Sequence, residues 1–190
     1  MAEKRLKVSI VGKSPLLTNN PASMKPTKTG TRGEKIIPTP DEEASTKIYQ
    51  DEHGRMCFPG IGPRNALIAA AGTFKVKTRG SSRAISSRPF FSTLRVEPEL
   101  IPILDAKSGK VAKSYAVDTR RAVVQKQGVQ RSRPRFEGWR LDFELVGDEY
   151  ELAIVEPILQ PVLEYAGRVV GIGDYRPQKT GWFGTFELRA

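Results

Sequence analysis

An α+β fold is predicted from three observations on the sequence. Apolar and polar residues alternate over residues 4–11 and 139–146, which is the period-two pattern of half-buried strands. An alanine run within residues 62–72 and helically spaced apolar residues within 150–167 indicate two helices. With a final strand over residues 182–188, the order matches a β-α-β-β-α-β ferredoxin-like unit, which has an antiparallel sheet and two helices.

The first strand is followed by a long stretch of loop composition. Gly12 ends the strand, and residues 18–54 are rich in Pro, Thr, Lys and acidic residues but have few large apolar side chains. Because this stretch is too long for an ordinary connection, we predict a long mobile loop. A short strand over residues 55–58 follows. In the first helix, Pro63 suits the first helical position and Gly72 the C-terminal end.

Two basic segments are predicted between the two helices. Residues 75–88, the basic loop, contain five cations and no acidic residue. After a strand over residues 90–96, residues 110–137 have the pattern of an inserted basic β-hairpin, with Gln127 and Gly128 near its tip. A basic ribbon of this kind can lie along a strand of nucleic acid.

Prolines and aromatic residues set local expectations for the second half of the chain. Because Pro157 and Pro161 lack a backbone N–H, the second helix should begin late or have a kinked first turn. Most of the aromatic side chains are expected in the core, namely Trp139, Phe143, Trp182, Phe183 and Phe186. Side chains outside the buried phase of a strand are candidates for base stacking, namely Tyr175, Phe136 and Phe183.

The composition favours a nucleic-acid partner. The 190 residues fit one domain, and 31 basic against 21 acidic residues give a net charge of +10, which favours a phosphate polymer. The sequence has no long apolar run and no apolar leader, so we expect a cytoplasmic protein without membrane contact. Cys57 is the single cysteine, which excludes an internal disulfide and a cysteine-based zinc site. We expect neither a metal nor a cofactor.

Most of the charge lies in the predicted hairpin. Residues 110–140 contain nine cations and two acidic residues, whereas surface patterning alone would mix the signs more evenly. We therefore expect the hairpin and the basic loop to contact phosphates, although a solvated ribbon is the simpler alternative. Arg64 is included because it lies near a helix N-terminus. The candidate cations are Lys13, Arg64, Lys75, Lys77, Arg79, Arg83, Arg120, Arg121, Lys126, Arg131, Arg133, Arg135, Arg176 and Lys179.

A glycine-rich segment, the glycine loop (residues 171–184), precedes the final strand. It holds Arg176 and Lys179 between two pairs of glycines. Without a Cβ atom, a glycine lets the backbone of a ligand approach closely, and cations beside free amides favour an anion such as phosphate. A tight turn between helix and sheet is the simpler alternative. The glycines of this candidate phosphate site are Gly171, Gly173, Gly181 and Gly184.

Three separated stretches share their order and position with motifs of one family. Residues 12–17 (Gly-Lys-Ser-Pro-Leu-Leu) are similar to the loop after its first strand. Residues 58–67 (Phe-Pro-Gly-Ile-Gly-Pro-Arg-Asn-Ala-Leu) resemble the entry into its first helix, and residues 171–184 its glycine-rich loop. The family is the RAMP superfamily of CRISPR-associated RNA-binding proteins. The resemblance implies one RRM-like domain, nearest to the backbone-type subunits that carry an inserted basic hairpin and a mobile loop after the first strand.

The resemblance implies binding of single-stranded RNA without sequence preference. Backbone-type subunits line up along a guide RNA, so it also implies a homo-oligomer or a multi-subunit ribonucleoprotein complex. The alternatives are a virus-type single-stranded DNA-binding or annealing protein, a structural protein touching a packaged genome, and a RAMP-like metal-independent endoribonuclease using His53. We expect no enzyme, because His53 lies in a polar loop without an evident partner. The acidic run at residues 41–43 is expected to be solvated.

Overall fold

The computed structural model describes residues 2–21, 38–78, 80–124 and 127–189. Within these ranges the strands are β1 (Glu3–Gly12), β2 (Leu16–Leu17), β3 (Tyr49–Gln50), β4 (Met56–Pro59), β5 (Lys75–Val76), β6 (Ile85–Ser86), β7 (Arg95–Glu97), β8 (Leu100–Pro102), β9 (Leu104–Asp105), β10 (Ala116–Val124), β11 (Gln127–Phe136), β12 (Trp139–Asp148) and β13 (Phe186–Leu188). The helices are α1 (Pro40–Ser45), α2 (Ile61–Ala71), α3 (Arg88–Thr93) and α4 (Glu149–Tyr165). A π-helix, Ala166–Val170, continues α4, and a 3-10 turn spans Pro177–Lys179. None of the described helices is both long and apolar enough to cross a membrane.

The central sheet is antiparallel and has the order β13-β1-β12-β7, with β9 also paired to β12. Val8 of β1 lies opposite Phe143 of β12, and Ile10 lies opposite Leu141. Directly opposed residues share one face of a sheet, so the apolar residues of both strands form one continuous surface. The alternating pattern therefore predicted the two central strands, although β12 continues to Asp148.

Helices α2 and α4 contribute the other side of the core. Leu67 and Ala70 of α2 and Leu152 and Val162 of α4 are all buried, in one cluster with the apolar residues of β1 and β12. The small alanine side chains of α2 permit a close approach to its neighbours. The predicted α+β fold with an antiparallel sheet and two main helices is confirmed, and the short helices α1 and α3 are additions to it.

Three elements begin at residues other than those predicted. α2 begins at Ile61, so Pro63 occupies its third position rather than its first, while Gly72 is the C-cap as expected. The final strand begins at Phe186 instead of residue 182. α4 begins at Glu149 and is not delayed by its prolines.

The start of α4 is explained by its cap and its buried first turns. Asp148 accepts a hydrogen bond from the backbone N–H of Tyr150 at 2.9 Å, which caps the helix. Leu152, in the first turn of α4, is fully buried, whereas Pro157 and Pro161 lie on the exposed face of the helix. The expected late start is wrong because the cap and this burial offset the two missing N–H groups.

The sequence predicted a strand over residues 90–96, but only the last two of these residues belong to one. α3 spans Arg88–Thr93, with a proline in its first turn and Phe91 buried, and β7 starts only at Arg95. A proline in the first helical turn loses no hydrogen bond and already has a helical φ, so it favours the helix over the strand. Within the basic loop, β5 and β6 form a short antiparallel ribbon.

Part of the predicted long loop has regular structure. Residues 22–37 of that loop lie outside the described residues. α1 follows Thr39, whose side chain forms a capping box with Glu42. β3 then pairs with β4 through Tyr49 opposite Cys57. The later part of residues 18–54 is therefore folded onto the domain.

Candidate nucleic-acid interface

Strands β10 and β11 form the predicted basic hairpin. They pair from Ala116 opposite Arg135 to Val124 opposite Gln127. The base of β11 also pairs with β2, a few residues after β1, so the hairpin is attached close to the end of the first strand. Of the predicted cations of the hairpin, Lys126 lies outside the described residues.

One face of the hairpin packs against the glycine loop. Arg120 lies opposite Arg131, and Asp118 lies opposite Arg133, so these four side chains share that face. Asp118 is 7% exposed and accepts two hydrogen bonds from Arg120, at 2.6 and 3.1 Å. These hydrogen bonds raise the pKa of Arg120, and they also hold its guanidinium in position.

Arg133 fastens the hairpin to the glycine loop. Its Nε donates a short hydrogen bond to Asp174, and its guanidinium lies 4.8 Å from the centre of the Tyr175 ring. The Arg133 side chain is 10% exposed. The structure thus gives Arg133 an internal ion pair, and its predicted contact with phosphate stays a prediction. Tyr175, predicted as a base-stacking candidate, lies against this arginine.

Trp182 of the glycine loop has a burial opposite to that predicted, because it was expected in the core and is 67% exposed. Phe183 is buried, as the core prediction had it, and Phe136 of the hairpin, a stacking candidate, is buried too. The prediction extended the alternation of the final strand back to residue 182. That extension is wrong because Gly184 adopts a positive φ of 64°, which breaks the strand phase between Trp182 and Phe186. Trp139, Phe143 and Phe186 are buried as predicted.

The exposed indole lies beside a fixed cation. The Arg120 guanidinium is 5.6 Å from the centre of the Trp182 ring and 4.6 Å from that of Phe183. The Arg135 guanidinium lies 5.9 Å from the Phe183 ring and also pairs with Glu137. Arginines of the hairpin and aromatic rings of the glycine loop therefore form one continuous surface.

The backbone amides of the glycine loop are used inside the protein. Gly171 donates to the carbonyl of Ala166, Gly181 to that of Arg176, and Gly184 to that of Pro15. A Cβ atom at Gly181 would lie 1.7 Å from the carbonyl oxygen of Tyr175. These glycines, like Gly173 against Leu17, let the loop pack on its own chain. The expected cradle of free amides for phosphate is therefore not present at Gly171, Gly181 and Gly184, and the simpler alternative of a tight turn fits them.

The loop after β1 completes this end of the domain. The Ser14 side chain accepts hydrogen bonds from the backbone N–H and the hydroxyl of Thr185, at 3.0 and 2.7 Å. Asp174 donates its backbone N–H to the carbonyl of Leu17. Lys13 pairs with Glu187 at 2.9 Å, and more than half of each side chain is exposed. Sequence reasoning missed Ser14 and Asp174, although an acidic residue inside a cation-rich loop was a signal for an internal ion pair.

The acidic run at residues 41–43 is not merely solvated. Lys47 is 7% exposed and donates to Glu43 at 2.6 Å and to the carbonyl of Ser132 at 2.8 Å. Burial raises the pKa of Glu43, but the hydrogen bonds from Lys47 and from the backbone N–H of Ser132 bring it below its ordinary value. Arg131 lies 3.3 Å from the same carboxylate. This cluster holds α1 against β11.

The predicted cations separate into a paired group and an unpaired group. Arg120, Arg131, Arg133 and Arg135 contact acidic side chains, and Arg176 donates to the carbonyl of Gly173. Arg79 lies outside the described residues. Within the described ranges, the predicted cations that are exposed and pair with no acidic side chain are Lys75, Lys77, Arg83, Arg121 and Lys179.

The basic loop begins beside the end of α4, which leads into the glycine loop. Phe74, directly before β5, packs edge-on against Tyr165 with ring centres 5.9 Å apart. Tyr165 ends α4, and the π-helix Ala166–Val170 connects it to Gly171. Arg64 lies elsewhere, because it donates to the carbonyls of Ser92 and Leu94 and so joins α2 to α3. Its predicted contact with phosphate stays a prediction beside this internal contact.

His53, the residue of the endoribonuclease alternative, lies on the surface beside an acidic side chain. His53 has 64% of its side chain exposed and lies 3.5 Å from Glu52, which is itself 85% exposed. No group of three or more His, Cys, Asp or Glu side chains within the described ranges is arranged to hold a metal ion. Cys57 is buried as a free thiol.

Comparison with known proteins places the fold. No protein-family model matches the sequence, and no curated protein matches it significantly. Among solved structures, the chain is similar to a chain in the cryo-EM structure of the Type III-B Cmr-β complex bound to its cognate target RNA. The TM-score is 0.55 at 10% sequence identity, over 99% of this chain and 59% of the other. The protein therefore shares its α+β fold with that chain, of which it spans about three fifths.

Proposed function

We propose that this protein binds single-stranded RNA, with little sequence preference, as a subunit of a ribonucleoprotein complex. The observation that carries the proposal is the set of exposed cations without acidic partners, in the described residues, at one end of the domain. Arg121 lies on the hairpin, Lys179 in the glycine loop, and Lys75, Lys77 and Arg83 in the basic loop. Contacts to phosphate carry no sequence information, which is why the binding tolerates any sequence.

The paired arginines serve this surface in a different way. Arg133 and Arg120 are held by Asp174 and Asp118, and they fix the hairpin on the glycine loop. Arg131 keeps 46% of its side chain exposed and can contact a phosphate without leaving Glu43. The paired group therefore positions the surface, and the unpaired group supplies most of the attraction for a polyanion.

RNA is favoured over DNA by the fold. The similar chain belongs to a complex that was captured with its target RNA, and the likeness extends over 99% of the present chain. We infer that several copies, or this protein and other subunits, assemble side by side along one RNA, with the hairpin reaching the neighbouring subunit. Native mass spectrometry on RNAs of increasing length should show a number of bound copies that rises with length.

The phosphate contacts are tested by removing unpaired cations. Replacing Arg121 and Lys179 by alanine should weaken binding of every RNA sequence alike. The slope of log affinity against log salt should fall by about 0.7 for each phosphate that the protein no longer neutralises. The matched control replaces Lys4 of β1 and Arg95 of β7, which pair with Glu156 and Glu3 near the start of β1, and should leave affinity and slope unchanged. Equal reductions of affinity in both double variants would mean that net charge alone drives binding.

Two further measurements separate the alternatives. Competition between matched RNA and DNA oligonucleotides tests the choice of RNA, because the 2′-OH is the group that differs. Preferred binding of DNA would support the single-stranded DNA-binding alternative. We also infer a binding protein without nuclease activity. RNA cleavage in EDTA that disappears in a His53→Ala variant would contradict this inference.

A further inference from the structure

Trp182 is the largest apolar side chain that is exposed in the described part of the chain. Its exposed fraction is 67%, whereas Trp139, the other tryptophan of the sequence, is 1% exposed. Burying an aromatic ring of this size is strongly favourable, so a ring left in water is a strong site for contact with a ligand. The ring lies on the surface described above, beside Arg120.

The backbone on both sides of Trp182 is held in place. Gly181 donates its N–H to the carbonyl of Arg176, and Phe183 donates to the carbonyl of Tyr175, both at 3.1 Å. The Phe183 side chain is 2% exposed and anchors the next position in the core. An indole presented by such a fixed loop loses little conformational entropy when a ligand binds to it.

The charges around the ring select the kind of ligand. The Arg120 guanidinium is fixed 5.6 Å from the Trp182 ring centre by its hydrogen bonds to Asp118. Lys179, three residues before Trp182, is exposed and has no acidic partner within the described ranges. An apolar peptide segment on the ring would leave Lys179 without an anion, since only Arg120 has a carboxylate of its own, Asp118. A flat aromatic group that carries phosphates on either side satisfies both the ring and Lys179.

We propose that Trp182 is a stacking platform for one base of a bound single strand, with Arg120 and Lys179 contacting the adjacent phosphates. This subsite rests on the proposed RNA binding and adds a contact to the base, which the cations alone do not provide. Stacking on an aromatic ring is tolerant of sequence, because every base has a π-face. The subsite is therefore compatible with binding that has little sequence preference.

The experiment compares an oligonucleotide with bases and one without. Wild-type protein and the Trp182→Ala and Trp182→Phe variants are titrated with an oligouridylate of about 12 nucleotides and with a base-free phosphate chain of equal length. Trp182→Ala should weaken oligouridylate binding about fivefold or more and leave binding of the base-free chain unchanged. Trp182→Phe should retain part of the affinity. Tyr150→Ala, which removes an exposed aromatic ring on α4, is the matched control and should bind both chains as the wild type does.

Tryptophan fluorescence supplies a second measurement on the same samples. Oligouridylate should quench the emission of the wild type but not of Trp182→Phe, in which only the buried Trp139 remains and also reports correct folding. RNA binding with unchanged affinity in Trp182→Ala and without quenching would overturn the stacking platform and leave the proposed function intact. Trp182→Ala that binds RNA normally but no longer assembles would identify a protein contact and also overturn it. Failure of both oligonucleotides to bind the wild type would overturn the proposed function together with this subsite.

Discussion

The two ends of β1 use similar charged residues in opposite ways. At the start of the strand, Arg5 lies within 3.2 Å of carboxylates of Glu3, Glu97 and Glu144, and Lys4 pairs with Glu156 at 2.6 Å. These side chains are all exposed by about a third or more, and positive and negative charges alternate among them. At the far end of the strand, Asp118 is buried beside Arg120 and Arg133 is buried beside Asp174, and further cations remain without acidic partners in the described residues.

This contrast separates charge that stabilises the fold from charge that is available to a ligand. An exposed ion pair contributes little to stability, because water and salt screen it. At the far end of β1, which we call the hairpin end, the pairs Arg120–Asp118, Arg133–Asp174 and Lys47–Glu43 fix the hairpin, the glycine loop and α1 to one another. We therefore expect substitutions at the hairpin end to cost much more stability than equivalent substitutions at the start of β1.

The largest effect is expected for Gly184→Ala. A Cβ atom there would lie 1.7 Å from the carbonyl oxygen of Ile172, and the residue has a φ of 64°. Backbone strain and the clash together should lower the free energy of unfolding by on the order of 4 kcal/mol. Gly147→Ala in β12, opposite Lys4 at the start of β1, is the matched control, because its Cβ would clash only with the flexible end of Leu94 and make ordinary contact with Leu152. A cost of about 1–2 kcal/mol is expected there, measured by urea unfolding. Equal costs would remove the contrast between the two ends.

An intermediate effect is expected for Asp174→Ala. The variant leaves the Arg133 guanidinium buried without its carboxylate, which should cost about 3 kcal/mol in the free energy of unfolding. Glu156→Ala removes an exposed partner of Lys4 in the same way and should cost less than about 1 kcal/mol. Hydrogen exchange should also show faster opening of the hairpin in Asp174→Ala alone. Similar stabilities of the two variants would show that Arg133 finds another partner.

The smallest effect is a dependence on pH. Because the pKa of Glu43 is below its ordinary value of 4.5 in the folded state, the folded chain binds fewer protons at that site than the unfolded chain. Its contribution is thus present above pH 4.5 and is lost as the pH falls through the folded pKa. Between pH 6 and pH 3, the wild type should lose about 1 kcal/mol more stability than Glu43→Gln. Parallel unfolding curves for the two proteins across that interval would contradict this.

The elements that follow one periodic rule could be predicted from the sequence. β1 and β12 each have one buried face, so their apolar residues alternate and both strands could be predicted. The hairpin could be predicted because its cations and strand-forming residues are contiguous. α3 was missed because its aromatic residues favour a strand, and the decisive feature was a proline in the first turn of Arg88–Thr93.

The candidate site was harder to predict because it depends on contacts between distant residues. The number of cations was clear, but not that Arg133 finds its carboxylate at Asp174, 41 residues away. The exposure of Trp182 followed from the turn at Gly184, which no alternating pattern could include. The sequence showed where the glycines are, but not what they do. The chain's own backbone fills the space beside them that the sequence analysis had reserved for a ligand.

The hydrogen bonds between Ser14 and Thr185 join residues that are 171 positions apart. During synthesis, the first strand leaves the ribosome long before its partner β13 exists. Contacts of such high sequence separation form slowly and late, because the long chain between them must first be ordered. This end of the domain can therefore reach its final arrangement only after Thr185 has been made. Until then a nascent chain would carry many exposed cations but no finished surface.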